Sequence, residues 1–167
     1  MLQTILTRIS IRRYKNTPIC DKDIEDILKA AMAAPSAGNS QPWEFIIIKE
    51  RELLNKIPNI HPHAQMLLQA PLAILICADL TREKYEGRWM LDCSAASQNI
   101  LLSVHSKGLG AVWVGIYPDE SRMNSFSEMF NLPDNIKPVS LIPIGYPDET
   151  KPFSNRFDTN KIHYNKF

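Results

Sequence analysis

The chain has 167 residues, of which 44% are hydrophobic and 22% are charged, and its formal net charge is +1. These values predict one globular domain with a substantial core and exclude an intrinsically disordered chain. The basic residues form no stripe and the apolar runs are short, which excludes a general nucleic-acid-binding surface and a membrane-spanning helix.

The first half of the chain opens with two predicted helices. Apolar residues at helical spacing predict a short helix over residues 2–8, and residues 10–14 are expected to be extended. Asp21 is the predicted N-cap of a second helix, which Pro35 stops. Further along, periodicity and β-branched composition predict a buried strand, a short helix and a second buried strand over residues 45–48, 50–57 and 72–78.

The second half centres on the longest predicted helix, over residues 85–105. Its middle, residues 93–97, carries only small side chains, so another helix can approach closely and we expect a central position for it. Gly108 and Gly110 are predicted to end it. A strand, a helix and a further strand are then expected over residues 111–117, 119–130 and 139–145. This alternation predicts an α+β fold with a central mixed sheet flanked by helices.

A polar tail closes the chain, over residues 146–167. It lacks strong periodicity but contains large apolar side chains, namely Phe153, Phe157, Ile162, Tyr164 and Phe167. A segment of this composition is expected to be packed, either on its own subunit or on a partner. We find no repeat and no linker, so residues 1–167 are predicted to form a single domain.

Cysteine usage predicts a cytoplasmic protein with reduced thiols. The three cysteines, Cys20, Cys77 and Cys93, show neither metal-binding nor redox spacing. Cys77 and Cys93 lie in apolar segments and are expected to be core residues. His61 and His63 have no carboxylate or thiolate nearby in the sequence, so no metal site is predicted. The first residues lead directly into an amphipathic segment, and no signal peptide is expected.

The first polar motif consists of Arg8, Ser10 and Arg12. Alternating residues of an extended segment share a face, so two guanidiniums and a hydroxyl are predicted to lie together. Such a cradle suits a phosphate, which carries close to two negative charges. The alternative is a solvated basic helix end. Arg156 and Lys151, in the distant tail, favour the phosphate, because they add cations that could converge on it.

A second motif suits a planar ring attached to that phosphate, and a third is weaker evidence. Residues 35–43 combine two prolines, a glycine and a tryptophan with several amide and hydroxyl groups. An ordinary turn is the alternative, but this is more constraint than a turn requires. Residues 108–116 place Gly-x-Gly before a strand, which alone is weak evidence and also fits a helix end followed by a core strand. Together the motifs predict a phosphate-bearing aromatic cofactor.

These motifs resemble those of the nitroreductase family of FMN-dependent oxidoreductases, over nearly the whole chain. In that family, R-x-S-x-[RK] binds the FMN phosphate and ribityl chain, and its last basic residue reaches the pyrimidine edge of the flavin. The matching residues are Arg8, Ser10 and Arg12. Arg156 precedes a segment similar to the family's R-x7-HY ending, which implies a further phosphate ligand. Lys151 is a weaker match.

The resemblance also assigns roles to the other two motifs. The family's counterpart of residues 35–43 comes from the opposite subunit and covers the flavin, with Trp43 in a packing role. The residues that would face the ring are Pro35, Ser36, Ala37 and Asn39. Residues 108–116 resemble GLGxxWxG, whose tryptophan lies near one flavin face and whose last glycine brings backbone N–H groups towards N5. Those roles fall to Trp113, Gly115 and Ile116. A polar residue that reads the pyrimidine has no clear counterpart near Gln65.

The resemblance implies an α+β, nitroreductase-like, intertwined homodimer with the tail crossing to the partner and one FMN at each of two shared sites. It implies hydride transfer from NAD(P)H through flavin N5 to nitroaromatic, quinone or similar acceptors by a ping-pong mechanism. Two alternatives remain open: a specialised FMN enzyme of the same fold with another reaction, and a flavin-free binding or regulatory protein. No catalytic side chain is nominated, because the cofactor carries the chemistry.

Overall fold

The computed structural model describes residues 1–152 and 154–167, so the predicted tail aromatic Phe153 lies outside the described residues. The helices are α1 (Leu2–Thr7), α2 (Asp21–Met32), α3 (Arg51–Ile60), α4 (Trp89–Ser106) and α5 (Glu120–Met129). The strands are β1 (Trp43–Ile48), β2 (Leu72–Asp79), β3 (Gly110–Ala111), β4 (Val114–Gly115) and β5 (Ile136–Gly145). Within this described part, none of the helices combines the length and the apolar character that a bilayer crossing requires.

The strands form one sheet in the order β1-β2-β5-β3, with β4 also paired to β5. All of these pairings are antiparallel. A parallel contact joins Ser10 to Ala111, and an antiparallel one joins Tyr14 to Pro147. The segment predicted to be extended over residues 10–14 is therefore fixed at both ends. The parallel component predicted for the sheet is confined to this isolated Ser10–Ala111 bridge, because the five strands themselves pair antiparallel.

Strand β2 is buried on both faces, which explains its unbroken apolar sequence. Successive side chains alternate between two cores, so Ile74 packs on one face and Leu75 on the other. Cys77 and Cys93 are both fully buried, which confirms the prediction that they are core residues. Burial, with a smaller contribution from the charge of Glu44, raises the pKa of Cys77 to about 12.

Helices cover both faces of the sheet. Helices α2 and α4 pack on one face and α3 and α5 on the other. The small residues Cys93, Ala96 and Ser97 are buried where α4 meets α2 and the sheet, as expected of a central helix. Helix α4 begins at Trp89, four residues later than predicted. The carboxylate of Glu83 accepts hydrogen bonds from the N–H groups at the helix start, which fixes that boundary.

The strand predicted over residues 111–117 is two short strands, β3 and β4, with Val112 and Trp113 between them. Both strands keep the same register against β5, and the residue opposite Val112 in that register is Pro143. Proline has no N–H to donate, so the ladder is interrupted there. Strand β5 starts at Ile136 rather than residue 139, because Pro138 is accommodated where the register with β2 shifts.

Two helix boundaries also differ from the predictions. Helix α2 begins at Asp21 and its N-cap is Cys20, so the predicted N-cap is wrong by one residue. Helix α3 continues to Ile60 and contains Pro58, whereas it was expected to end at residue 57. Asp119 caps α5 through a hydrogen bond from the N–H of Arg122.

The tail divides into two parts. Its beginning is held by its own chain, because the N–H of Asp148 donates to the carbonyl of Arg13 and the N–H of Lys15 donates to that of Tyr146, both at 2.9 Å. Its end carries exposed aromatic residues, with Phe157 at 73% and Tyr164 at 84% exposure. Every residue of α1 is likewise at least partly exposed. These two segments together present a large apolar surface.

Gly110 is packed so tightly that a side chain has no room. An added Cβ would lie 2.7 Å from Cγ2 of Ile11. We expect Gly110→Ala to lower the free energy of unfolding by about 1–3 kcal/mol in urea denaturation, because the added methyl group would push away the extended segment that carries Ile11. The matched control is Gly115→Ala, since a Cβ there meets no other described atom within 4 Å. An equal loss in both variants would contradict this explanation.

Candidate functional site

Two cavities flank the extended segment that carries the first motif. One, of about 560 Å³, lies beside β4 and is called the β4 cavity; its lining includes Arg12, His61, Trp113, Gly115 and Arg122. The other, of about 270 Å³, lies between α1 and the tail and is called the α1–tail cavity. Arg8 and Arg156 line the second cavity. The structure therefore separates the predicted partners Arg8 and Arg12 into adjacent cavities.

The α1–tail cavity brings two cations together from opposite ends of the chain. The pKa of Arg8 lies below its usual value because its guanidinium is partly buried and because Arg156 is close to it. Among the described residues, no acidic side chain lines this cavity. Like charges held together in partial burial are unfavourable unless an anion joins them. This is the local chemistry that a phosphate group requires.

Lys151 holds the first motif in place. Its ammonium donates to the carbonyl of Ser10 at 2.8 Å and pairs with Glu149 at 3.1 Å. The same carboxylate accepts hydrogen bonds from the N–H groups of Arg12 and Arg13. Lys151 is therefore engaged with its own chain and lines neither cavity. Glu149, which sequence reasoning missed, fixes the backbone that carries Arg12.

Gly115 presents an open backbone edge to the β4 cavity. Ile116 is fully buried, and its N–H donates to the carbonyl of Val139 at 3.1 Å. Hydrogen-bonded and non-hydrogen-bonded pairs alternate along an antiparallel ladder, so the N–H and C=O of Gly115 both point away from β5. Of the two residues nominated by the sequence, Gly115 therefore has the backbone N–H that points away from the sheet.

His61 is a second residue whose position the sequence did not reveal. The residue is only 2% exposed, and Nε2 of its ring lies 2.8 Å from the carbonyl oxygen of Gly115. The sequence predicts no metal site here and assigns His61 no other role. Within the described residues, no group of three or more His, Cys, Asp or Glu side chains is arranged for a metal ion. What marks His61 out is the hydrogen bond of its ring to Gly115 of β4, and this contact can be seen only in the folded structure.

The loop of residues 35–43 lies apart from both cavities. Asp92, buried in the first turn of α4, accepts hydrogen bonds from the N–H of Ala37 at 3.0 Å and the hydroxyl of Ser40 at 3.2 Å. Trp43 is buried, in agreement with a packing role. The residues predicted to face a ring, Pro35, Ser36, Ala37 and Asn39, line neither cavity of their own chain. Within one chain, the residues predicted to form a single site therefore lie in two places: around the two cavities and in the 35–43 loop.

Comparison with known proteins places this chain in a family. The sequence profile of the Nitroreductase family matches residues 5–62 and 58–146. A Methanothermobacter thermautotrophicus protein provisionally named NADH dehydrogenase/NAD(P)H nitroreductase is 47% identical over 100% of this chain and 87% of its own length. The chain therefore belongs to the nitroreductase family, which confirms the predicted nitroreductase-like fold.

Solved structures agree with this assignment. The crystal structure of a provisionally named NADH oxidase from Clostridium acetobutylicum has a TM-score of 0.96 and 46% identity, covering 98% of this chain and 99% of that one. An FMN-dependent nitroreductase from Clostridium difficile R20291 has a TM-score of 0.93 and 32% identity, with both chains covered completely. The similarity extends over at least 98% of the chain in each case.

Glu149 should make stability depend on pH. Burial opposes ionisation, but the N–H of Arg12 and the ammonium of Lys151 outweigh it, and the pKa lies below its ordinary value of 4.5. Because the folded pKa is the lower one, the stabilisation is complete above the unfolded pKa and is lost as the pH falls through the folded pKa.

In urea denaturation, the difference in unfolding free energy between the parent and Glu149→Gln should therefore be constant well above pH 4.5 and shrink below it. Glu128→Gln, at an exposed position on α5, is the control and should show no such trend. A difference that grows on acidification would contradict the assignment.

Proposed function

We propose that this protein is an FMN-dependent oxidoreductase that passes a hydride from NAD(P)H, through flavin N5, to nitroaromatic, quinone or similar acceptors by a ping-pong mechanism. The observation that carries the proposal is the meeting of Arg8 and Arg156 in a cavity that no described acidic residue lines. Family membership and the similarity to a protein named as an FMN-dependent nitroreductase support it. The three free thiols favour a cytoplasmic location.

The residues present fit the phosphate end of FMN. Arg8 and Arg156 would hold the phosphate, and Ser10 would contribute from the extended segment that Lys151 anchors. A hydrogen bond to a charged group contributes about 1.5–3 kcal/mol, so two guanidiniums would anchor the group firmly. Lys151 itself would act mainly by fixing the Ser10 backbone, because its ammonium is already bound there.

The β4 cavity fits the ring end of FMN. Arg12 would lie at the pyrimidine edge, where its positive charge stabilises negative charge on that part of the ring. Trp113 would form one wall, and Gly115 would allow close approach of the backbone because it has no side chain. Bound FMN would supply the hydride chemistry, while the protein binds and orients the reactants.

A second copy of the chain would complete the site. Asp92 holds the 35–43 loop away from both cavities of its own chain, so the loop residues can face a flavin only in a partner. The exposed apolar residues of α1 and of the tail end would be covered in the same assembly. We therefore propose a homodimer in which the end of the tail, beyond Arg156, crosses to the partner, with residues 1–167 as one domain and Pro35, Ser36, Ala37 and Asn39 over the partner's ring.

The FMN proposal is tested by titrating the apoprotein with FMN and following the visible spectrum. The parent should bind FMN and become yellow. Arg156→Ala should weaken FMN binding roughly tenfold to a hundredfold, because one charge-assisted contact is lost. Lys161→Ala removes a different exposed cation from the tail and serves as the matched control. A parent that takes up no FMN would refute the proposal, and equal affinity in parent and Arg156→Ala would remove that residue's role.

The dimer is tested by analytical ultracentrifugation at low micromolar concentration. The parent should sediment at about twice the 19.0 kDa of one chain. Leu6→Asp places a charge on the exposed apolar side of α1 and should shift the protein towards monomer, whereas Lys56→Asp on the exposed side of α3 should not. An FMN-saturated parent that remains a monomer would contradict the proposal.

A further inference from the structure

We propose that His61 is a positioning residue for the Gly115 backbone. Its Nε2–H holds the Gly115 carbonyl and thereby sets the direction in which the Gly115 N–H faces the β4 cavity. This inference rests on the proposed function, because its consequence is measured on bound FMN. It adds a residue that neither the polar motifs nor the flavin-facing loop includes.

The direction of the hydrogen bond shows that Nε2 of the His61 ring carries a proton. A carbonyl oxygen only accepts, so the proton between His61 and Gly115 belongs to Nε2. The other ring nitrogen, Nδ1, is buried and has no hydrogen-bond partner among the described residues. A buried polar atom without a partner costs free energy, which an apolar ring of similar size would avoid. The hydrogen bond to Gly115 is therefore the contact that histidine makes at this position and that an apolar ring could not make.

Because of where Gly115 lies, that hydrogen bond affects the orientation of its backbone. Strand β4 is only two residues long and pairs with β5 on its inner side. Gly115 has no side chain to pack, so contacts to its backbone alone determine its orientation. Because the N–H and C=O of a strand residue point to the same side, holding the carbonyl also aims the N–H. His61 thus restrains the outer edge that β5 does not reach.

His61 is itself held rigidly enough to act in this way. Its backbone N–H donates to the carbonyl of Ile57 at 3.0 Å, which ties it to the end of α3. Its ring stands edge-on to Phe126 of α5, with centroids 6.4 Å apart. The ring therefore connects α3 and α5 to the exposed end of β4.

Two variants at this position separate positioning from simple filling of space. His61→Phe keeps an aromatic ring beside Phe126 but removes the donor, and His61→Gln replaces the donor with an amide N–H. Ile57→Val serves as a control that loosens the same core without touching Gly115. For each, the melting temperature of the apoprotein, the FMN dissociation constant and the visible spectrum of bound FMN are measured.

We expect His61→Phe to raise the FMN dissociation constant about tenfold, the change expected if the misdirected Gly115 N–H loses one hydrogen bond to the flavin, and to shift the flavin absorption maximum. His61→Gln should restore affinity to within about threefold and recover the parent spectrum. Ile57→Val should lower the melting temperature with little effect on FMN binding. If His61→Phe does not fold, His61→Met replaces it as the donor-free variant.

Two results would overturn the inference. One is a donor-free variant that binds FMN with the parent's affinity and spectrum. The other is a His61→Gln variant as weak as His61→Phe, because the donor would then not be what matters. If the parent itself binds no FMN, the proposed function fails and this inference with it. If the parent binds FMN and the donor-free variant binds it equally well, only the role of His61 fails.

Discussion

Burial of β2 and β5 on both faces is the constraint on which the rest of the structure depends. Both strands consist almost wholly of buried residues, and helices cover the sheet on either side. A sheet enclosed in this way has no exposed face on which polar chemistry could be placed. Arg8, Arg12, Gly115 and Arg156 accordingly lie around the outer edge of β5, where β4 is short and the tail meets the N-terminal segment, whereas the predicted loop residues 35–39 lie apart from it.

At that edge, hydrogen bonds between the tail and the N-terminal segment hold both segments in place. Glu149 accepts hydrogen bonds from the backbone next to Arg12, and Lys151 binds the carbonyl of Ser10. Arg156 then lies within the electrostatic reach of Arg8. Contacts within the chain thus bring the two cations together. A phosphate bound between them would offset the repulsion between their charges.

The sequence predicted those features that depend on local composition. Unbroken apolar runs identified β2 and most of β5, and small side chains identified α4 as a central helix. Three short motifs together indicated the family, namely Arg8-Ser10-Arg12, residues 35–43 and residues 108–116, because each carries its residues within a few positions. Each of these signals lies within a short window of the chain.

Features that depend on distant pairing were not predictable in the same way. The gap between β3 and β4 results from Pro143 lying opposite Val112, which requires the register of β5. The contacts of His61 with Gly115 and of Glu149 with Arg12 join residues 54 and 137 positions apart. Nothing in the immediate neighbourhood of His61 or Glu149 distinguishes it from an ordinary surface residue.

Gly110 and Gly115 both lie beside this edge, but the space around them differs. Gly110 leaves no space for a methyl group because Ile11 of its own chain already occupies it, whereas nothing described in the chain occupies the space above Gly115. The first glycine is required by the fold, and under the proposed function the second would be required by the bound cofactor. A descendant that abandoned the cofactor would be free to lose Gly115 during evolution, but every descendant that keeps the architecture should retain Gly110.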